Sequence, residues 1–346
     1  MALTQVTPSM LANSGAELGM RNRIINGAMQ ISQRTAVNTN VAVGTGTSGT
    51  FGPDRFSAYT GTGSLWNISQ VSTSAYDFPY ALRLQRIAAQ TSTSAVYLRQ
   101  IIETANCIDL AGQSVILSFY ATAGATYSGG AATVSVFTGT AADQGTAALN
   151  TATWTGLVSP INSTFTPTTT RTRYTFTGTI GATVQEIAFS ISWSGSGTAG
   201  ATDYIDITGV QLEVGTVATP FERRLYGQEL ALCQRYYEKS YDAATAPGSA
   251  SSNGYSSINN TNTSTSLYVF NTDRFVVLKR AAPTVRFWDL AGNLSRMTNY
   301  TLGGLARTDN LNTVYSYTGY QSSAVMINTP TASVASVYQW DASAEL

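Results

Sequence analysis

The run Ile187-Ala188-Phe189-Ser190-Ile191-Ser192-Trp193 puts every large apolar side chain at alternate positions, with only Ala or Ser between them. Successive side chains point to opposite sides only in an extended strand, so this run specifies a strand with one buried face. The period recurs along the chain. Val115, Leu117, Phe119 and Ala121 share a face in VILSFYA, and Tyr174, Phe176 and Ile180 share one in RYTFTGTI. The intervening stretches, YSGG, TAADQGTAALNT and SGSGTAGATD, have turn and loop chemistry. Helical periodicity is almost absent before residue 222, which leaves no crossover helices for a parallel sheet. The expected fold is mainly β, with two packed antiparallel sheets.

Ile205 and Ile207 alternate in one register of DYIDITGVQLEVG, while Val210, Leu212 and Val214 alternate in the other. Both sets can face one core only if an extra residue is absorbed, which predicts a β-bulge at Thr208-Gly209. After Pro220-Phe221 the period changes to 3.6. Tyr226, Leu230, Cys233 and Tyr237 recur at i, i+4, i+7 and i+11, widened by Leu225, Leu232 and Tyr236, which predicts an amphipathic helix over about 225–239. Strand patterns then return in SLYVF, RFVVLKR, TVRFWDL, TVYSYTGY, SAVMI and SVYQW. They read as a second, smaller β-domain.

Charged residues are 11% of the chain and balance to a formal net charge of zero. Nothing in that balance steers the chain to nucleic acid or anionic lipid. No histidine is present. That removes the commonest general base, the usual zinc ligand and every His-activated nucleophile. Cys107 and Cys233 match no metal spacing and read as buried thiols or one disulfide. The amino terminus lacks the basic and apolar regions of a secretory signal, and no apolar run is long enough to cross a bilayer. The chain is expected to be soluble and made in a cytoplasm. Asp203 with Asp206, or Asp54 with Glu213, are conceivable glycosidase pairs, but turn and strand-edge positions suit structural roles better. Asp54-Arg55 reads as an ion pair opening the first sandwich strand. No dense Asp/Asn cluster calls for Ca²⁺, and no cofactor is expected.

NRIINGAMQISQR, GPDRFSA, GVQLEVGTVATPFERRLYGQELALCQRYYEKSYD, LKRAAPTVRFWDLAGN and the terminal DASAEL occur in this order. Together they resemble bacteriophage and prophage tail-fibre or fibre-like virion proteins whose middle region is similar to a carbohydrate-binding-module jelly roll. The resemblance implies a homotrimeric external appendage that contacts other virion proteins and host surface glycans, located on the virion and without catalytic residues. It implies an N-terminal virion-anchoring arm over 1–34, a jelly-roll β-sandwich over 35–222, a connector helix over 223–242 and a C-terminal β tip over 243–346. Deleting the arm is expected to abolish incorporation without unfolding the β-domains. The helix stripe Leu230, Cys233 and Tyr237 suits intrachain core or a trimer seam. Glu222, Arg223, Arg224, Glu229 and Arg235 are either inter-element ion pairs or solvated helix charges.

Sugar recognition needs flat aromatic faces beside amides and hydroxyls. Trp193 and Trp66 fall on apolar strand faces and read as core. Trp154, in the loop TATWTGL, has no alternation to bury it and is the exposed candidate of the sandwich. In the tip, Trp288, Tyr300, Tyr315, Tyr317, Tyr320 and Trp340 form either a binding cluster or a buried aromatic layer.

Overall fold

The computed structural model describes residues 20–45, 49–61, 65–75, 77–260, 267–301, 307–311, 314–329 and 334–346. Strands β1 (Val41–Ala42), β2 (Thr50–Phe51), β3 (Ser57–Thr60), β4 (Trp66–Ser72), β5 (Tyr80–Arg86), β6 (Val96–Ile102), β7 (Ser114–Ala123) and β8 (Ala132–Gly139) come first. A short helix α1 (Thr146–Asn150) separates them from β9 (Val158–Phe165), β10 (Thr172–Thr179), β11 (Glu186–Trp193) and β12 (Tyr204–Val214). They form two six-stranded sheets, in the orders β1-β4-β5-β12-β7-β10 and β2-β3-β6-β11-β8-β9. This is the expected jelly-roll β-sandwich, with every pairing antiparallel.

The alternating residues meet between the sheets. Leu117, Phe119, Phe189, Ile191, Ile205 and Leu212 are all fully buried there. The register of β12 against β7 shifts between Thr208 and Gln211, with Gly209 at φ +61°. A Cβ on Gly209 would also meet the Phe78 ring at 2.7 Å. The bulge thus lets Ile207 and Val210 both face the core, whereas Val214 emerges at the strand end, 39% exposed.

Residues 21–34, expected as part of a free arm, are woven into the body. Ile24, Met29 and Ile31 are buried, and Ile25 exchanges two backbone hydrogen bonds of 2.8 Å with the Gln100 side chain. Asn26, at φ +59°, makes the turn that Asn26-Gly27 announces.

Helix α2 spans Tyr226–Gln234, shorter than expected. Tyr237 instead opens β13 (Tyr237–Lys239), which pairs with β21 (Val334–Ser343). The Tyr237 hydroxyl donates to Asp341 at 2.8 Å, so sheet formation overrides the helical period there. Around β21 lie β14 (Ser256–Asn260), β16 (Thr284–Trp288) and β17 (Met297–Thr301), with β18 (Arg307–Leu311) beside β17. Strands β15 (Leu267–Arg274), β20 (Ser322–Thr329) and β19 (Val314–Thr318) make a separate three-stranded sheet. The RFVVLKR segment is not a strand beyond Arg274. Val276 and Leu278 are exposed there, while Lys279 is buried on Glu238 at 2.5 Å.

The charged block after residue 220 joins distant segments. Glu222 accepts from the Arg21 and Asn22 amides, and Glu229 accepts from the Asn26 amide at 2.5 Å. Arg235 pairs with Glu103 at 2.8 Å, on the edge of the sandwich. Asp54 and Arg55 do not pair with each other: Asp54 takes Gln33 and Arg34, and Arg55 takes Glu345. The C-terminal residues therefore return to the sandwich, where the Thr146 hydroxyl donates to the Leu346 carbonyl at 2.7 Å. Cys107 and Cys233 are separate buried thiols.

Candidate functional site

The second sheet supplies the site. Its central strand β11 sends Ile187, Phe189, Ile191 and Trp193 into the core, so Ala188, Ser190 and Ser192 point outward. The registers of β6 and β8 against β11, with β3 and β9 beyond, align three outward rows across the sheet. Ile101, Ala188 and Phe137 make the first row. Ser57, Arg99, Ser190, Ser135 and Asn162 make the second. Tyr59, Tyr97, Ser192, Thr133 and Thr164 make the third.

The rows differ in what covers them. The first is roofed by Leu149 of α1, Trp154 and Leu346, which pack on Ile101 and Ala188 as a small apolar cluster. The third remains partly open, with Tyr59, Tyr97, Ser192 and Thr133 all half-buried and Thr164 exposed. The Tyr59 and Tyr97 rings lie 6.1 Å apart at an interplanar angle of 34°. The middle row, with Ser57, Arg99, Ser190 and Ser135 buried, lies between the roofed row and the two tyrosines.

Arg99 lies in that middle row and is 6% exposed. Its guanidinium lies 5.4 Å from the Tyr97 ring centroid and donates through Nη1 to Asn150 Oδ1. Its Nε has no hydrogen-bond partner among the described residues. Burial pulls the guanidinium down to about 10, and only the nearby tyrosines act against that shift. Beside it Ser135 Oγ donates to Asn162 Oδ1 at 3.3 Å. The arrangement offers two aromatic rings, several hydroxyls, an amide and one cation on one sheet face. These rows carry no carboxylate.

The tryptophans expected as sugar platforms are elsewhere. Trp154 is 3% exposed and donates Nε1 to the Gly145 carbonyl at 3.0 Å, serving as roof rather than binding face. Trp288 and Trp340 are each 6% exposed, the first against Tyr241 and the second against Phe275. Tyr320 is 55% exposed at the end of the smaller sheet. Tyr315 and Tyr317 lie in β19 opposite Met326 and Ala324, and their side chains are outside the described residues. Among the described side chains of this set, the three tryptophans are buried and Tyr320 is exposed. Trp66 and Trp193 are core residues in contact, with ring centroids 4.4 Å apart, as their strand faces predict.

The acids are committed to structural partners. Asp203 is fully buried against Arg86 at 2.9 Å, and Asp206 holds Arg83 at 2.7 Å. Glu213 accepts from the Thr219 amide and hydroxyl at 2.9 and 2.7 Å. Among the described residues, no three His, Cys, Asp or Glu converge as a metal site. No helix among them is long and apolar enough to cross a membrane. Of the helix stripe, Cys233 packs with Leu230, Ile25, Ile31 and Tyr236 of the same chain, and Tyr237 belongs to the sheet.

Tyr59, Tyr97, Arg99, Asn150 and Asn162 escaped the sequence reading. The available signal was the Ala188-Ser190-Ser192 set, whose small outward side chains let neighbouring segments pack closely on this face.

No protein-family profile matches the sequence, and no curated protein matches it either. Solved structures are similar to about half of the chain. A CBM4 module is 16% identical over 55% of this chain and 98% of its own, with a TM-score of 0.33. A xylan-binding CBM22 domain is 14% identical over 47% of this chain and 90% of its own, with a TM-score of 0.30. The enzymatically active domain of tailspike protein 4 from bacteriophage CBA120 is 16% identical over 56% of this chain and 22% of its own, with a TM-score of 0.32. Similarity at this level says nothing about ligand or assembly.

Proposed function

We propose that this chain is a non-catalytic glycan-binding protein whose ligand lies across the outer face of the second sheet, on Tyr59, Tyr97 and Arg99. The observation that carries the reading is the cross-strand row Tyr59 to Thr164, left partly exposed beside a buried polar row and a roofed apolar one. Tyrosine faces take the C–H faces of a pyranose, and hydroxyl and amide groups take its hydroxyls. Each such site is weak, and several in one appendage raise the apparent affinity by roughly 10²–10⁴.

The sequence resemblance extends the proposal to a virion. In this reading the chain is a homotrimeric fibre subunit, residues before 20 dock on other virion proteins, and this sheet face meets host surface glycans during adsorption. The test is binding of labelled full-length protein to intact host cells before and after enzymatic removal of surface glycans, with Tyr97→Ala beside the wild type. Saturable binding that is lost with the glycans and in the variant supports the reading. Equal binding by folded Tyr97→Ala refutes the assigned site.

An architectural role is the second reading. It is favoured by the burial of Trp288 and Trp340, which leaves neither tryptophan for stacking. Under it the tyrosine face is covered by a neighbouring subunit on the capsid or collar, and no cell binding occurs.

A further inference from the structure

Arg99 is a cation without a counter-ion among the described residues. It is 6% exposed, its sole hydrogen bond among the described residues is to the neutral Asn150, and its Nε has none. Removing a charge from water is costly unless an opposite charge and full hydrogen bonding offset it. Elsewhere in the molecule the buried cations have such partners: Arg86 with Asp203, Arg55 with Glu345 and Lys279 with Glu238. The nearest cross-strand neighbours of Arg99 are Ser57 and Ser190, both uncharged. The downward pull on its pKa by burial agrees with a charge left uncompensated.

The half-buried neighbours Tyr97 and Tyr59 are the side from which an anion reaches Arg99. With Nη1 engaged by Asn150 and Nε buried, Nη2 is the donor left for a ligand. A charged N–H donor takes an anionic oxygen in a stronger hydrogen bond than it takes a neutral one. We propose that the ligand is an acidic saccharide, with the carboxylate of a uronic-acid-type residue on Arg99 and an adjoining ring against Tyr97. This deepens the glycan-binding reading and rests on it.

The test is calorimetric titration of the full-length protein with oligogalacturonate, with its methyl ester, with a neutral galacto-oligosaccharide and with a sulfated one. Arg99→Gln and Tyr97→Ala are run beside the wild type, each checked for an unchanged unfolding midpoint. The expected result is oligogalacturonate binding roughly 10- to 100-fold tighter than its methyl ester, the range of one charged hydrogen-bonded contact. The preference weakens with added salt and disappears in Arg99→Gln, whereas Tyr97→Ala weakens every saccharide. Equal affinity for acid and ester, with binding still lost in Tyr97→Ala, overturns the acidic ligand and keeps the glycan site. Tighter binding of the sulfated sugar than of the uronate overturns the carboxylate assignment. No binding of any saccharide by the folded protein overturns both.

Discussion

Replacing Arg86 by Met should destabilise the sandwich more than any surface change. Arg86 is 1% exposed at the end of β5 and faces the fully buried Asp203. Its Nη1 donates to Asp203 at 2.9 Å, to Ser128 Oγ at 3.0 Å and to the Ser196 carbonyl at 3.2 Å. Its Nη2 donates to the carbonyls of Gln90, Ser92 and Gly197 at 2.9–3.1 Å. One guanidinium thereby closes two loops onto the strand ends. Methionine keeps the aliphatic stem and removes every donor. Asp203 then keeps only the Ser128 amide and hydroxyl, as a buried anion without a cation. Breaking one side of a buried pair costs about 3–5 kcal/mol. For a domain of this size each kcal/mol moves Tm by about 2–4 °C, so the loss should be roughly 6–20 °C. Urea unfolding followed by tryptophan fluorescence gives the free energy directly, because Trp66 and Trp193 lie in the adjoining core. Adding Asp203→Asn to Arg86→Met should recover part of the loss, since it removes the stranded charge. A single-variant loss below about 1 kcal/mol, the range of an exposed pair, would refute the reasoning.

Three further outcomes are expected. Glu186 is fully buried, its Oε1 has no partner among the described residues, and burial, reinforced by Asp143, raises its carboxyl to about 8. The native state then holds a proton that the unfolded chain releases above its own pKa of about 4.3, so stability should fall as pH rises from about 4.5 to 8, by up to about 1.4 kcal/mol per pH unit. Unfolding of Glu186→Gln against wild type across that window should remove this slope, and identical slopes would refute it. Deleting residues 1–19 should leave Tm unchanged, whereas deletion through residue 34 should collapse it, since Ile24, Met29 and Ile31 each contribute about 1.5–3 kcal/mol of burial. Thermal scans of the two truncations decide this. Burial raises the Cys107 thiol to about 12 and pushes Cys233 well above its ordinary value, so neither should react with a thiol reagent at pH 8 until the protein is unfolded.

The sandwich was legible because a strand with one buried face writes its period directly into the sequence. Phe189, Ile191 and Trp193 are core residues, and the switch of register at Gly209 is a bulge. The helix was over-extended because Tyr236 and Tyr237 both suit an apolar stripe. Only the fold reveals that Tyr236 packs under Arg55, with the guanidinium 3.4 Å from its ring centroid, while Tyr237 faces Asp341. The residues 21–34 looked detachable because their partners, Gln100, Val210 and Glu229, are remote in sequence. The site was hidden for a related reason. Counting tryptophans favours the residues with most surface to bury, and Trp154, Trp288 and Trp340 are buried. That Arg99 lacks a counter-ion among the described residues is a property of the neighbouring strands β3 and β11 and of the helix that carries Asn150, and no local pattern encodes it.

The most direct test is a structure of the full-length protein with a bound saccharide, located by density without prior placement. The account predicts the sugar on the outer face of the second sheet, with a ring against Tyr97 and polar contacts to Arg99 and its neighbouring hydroxyls. A saccharide seated on the C-terminal sheets, or a second protein subunit covering Tyr59 and Tyr97, would contradict it.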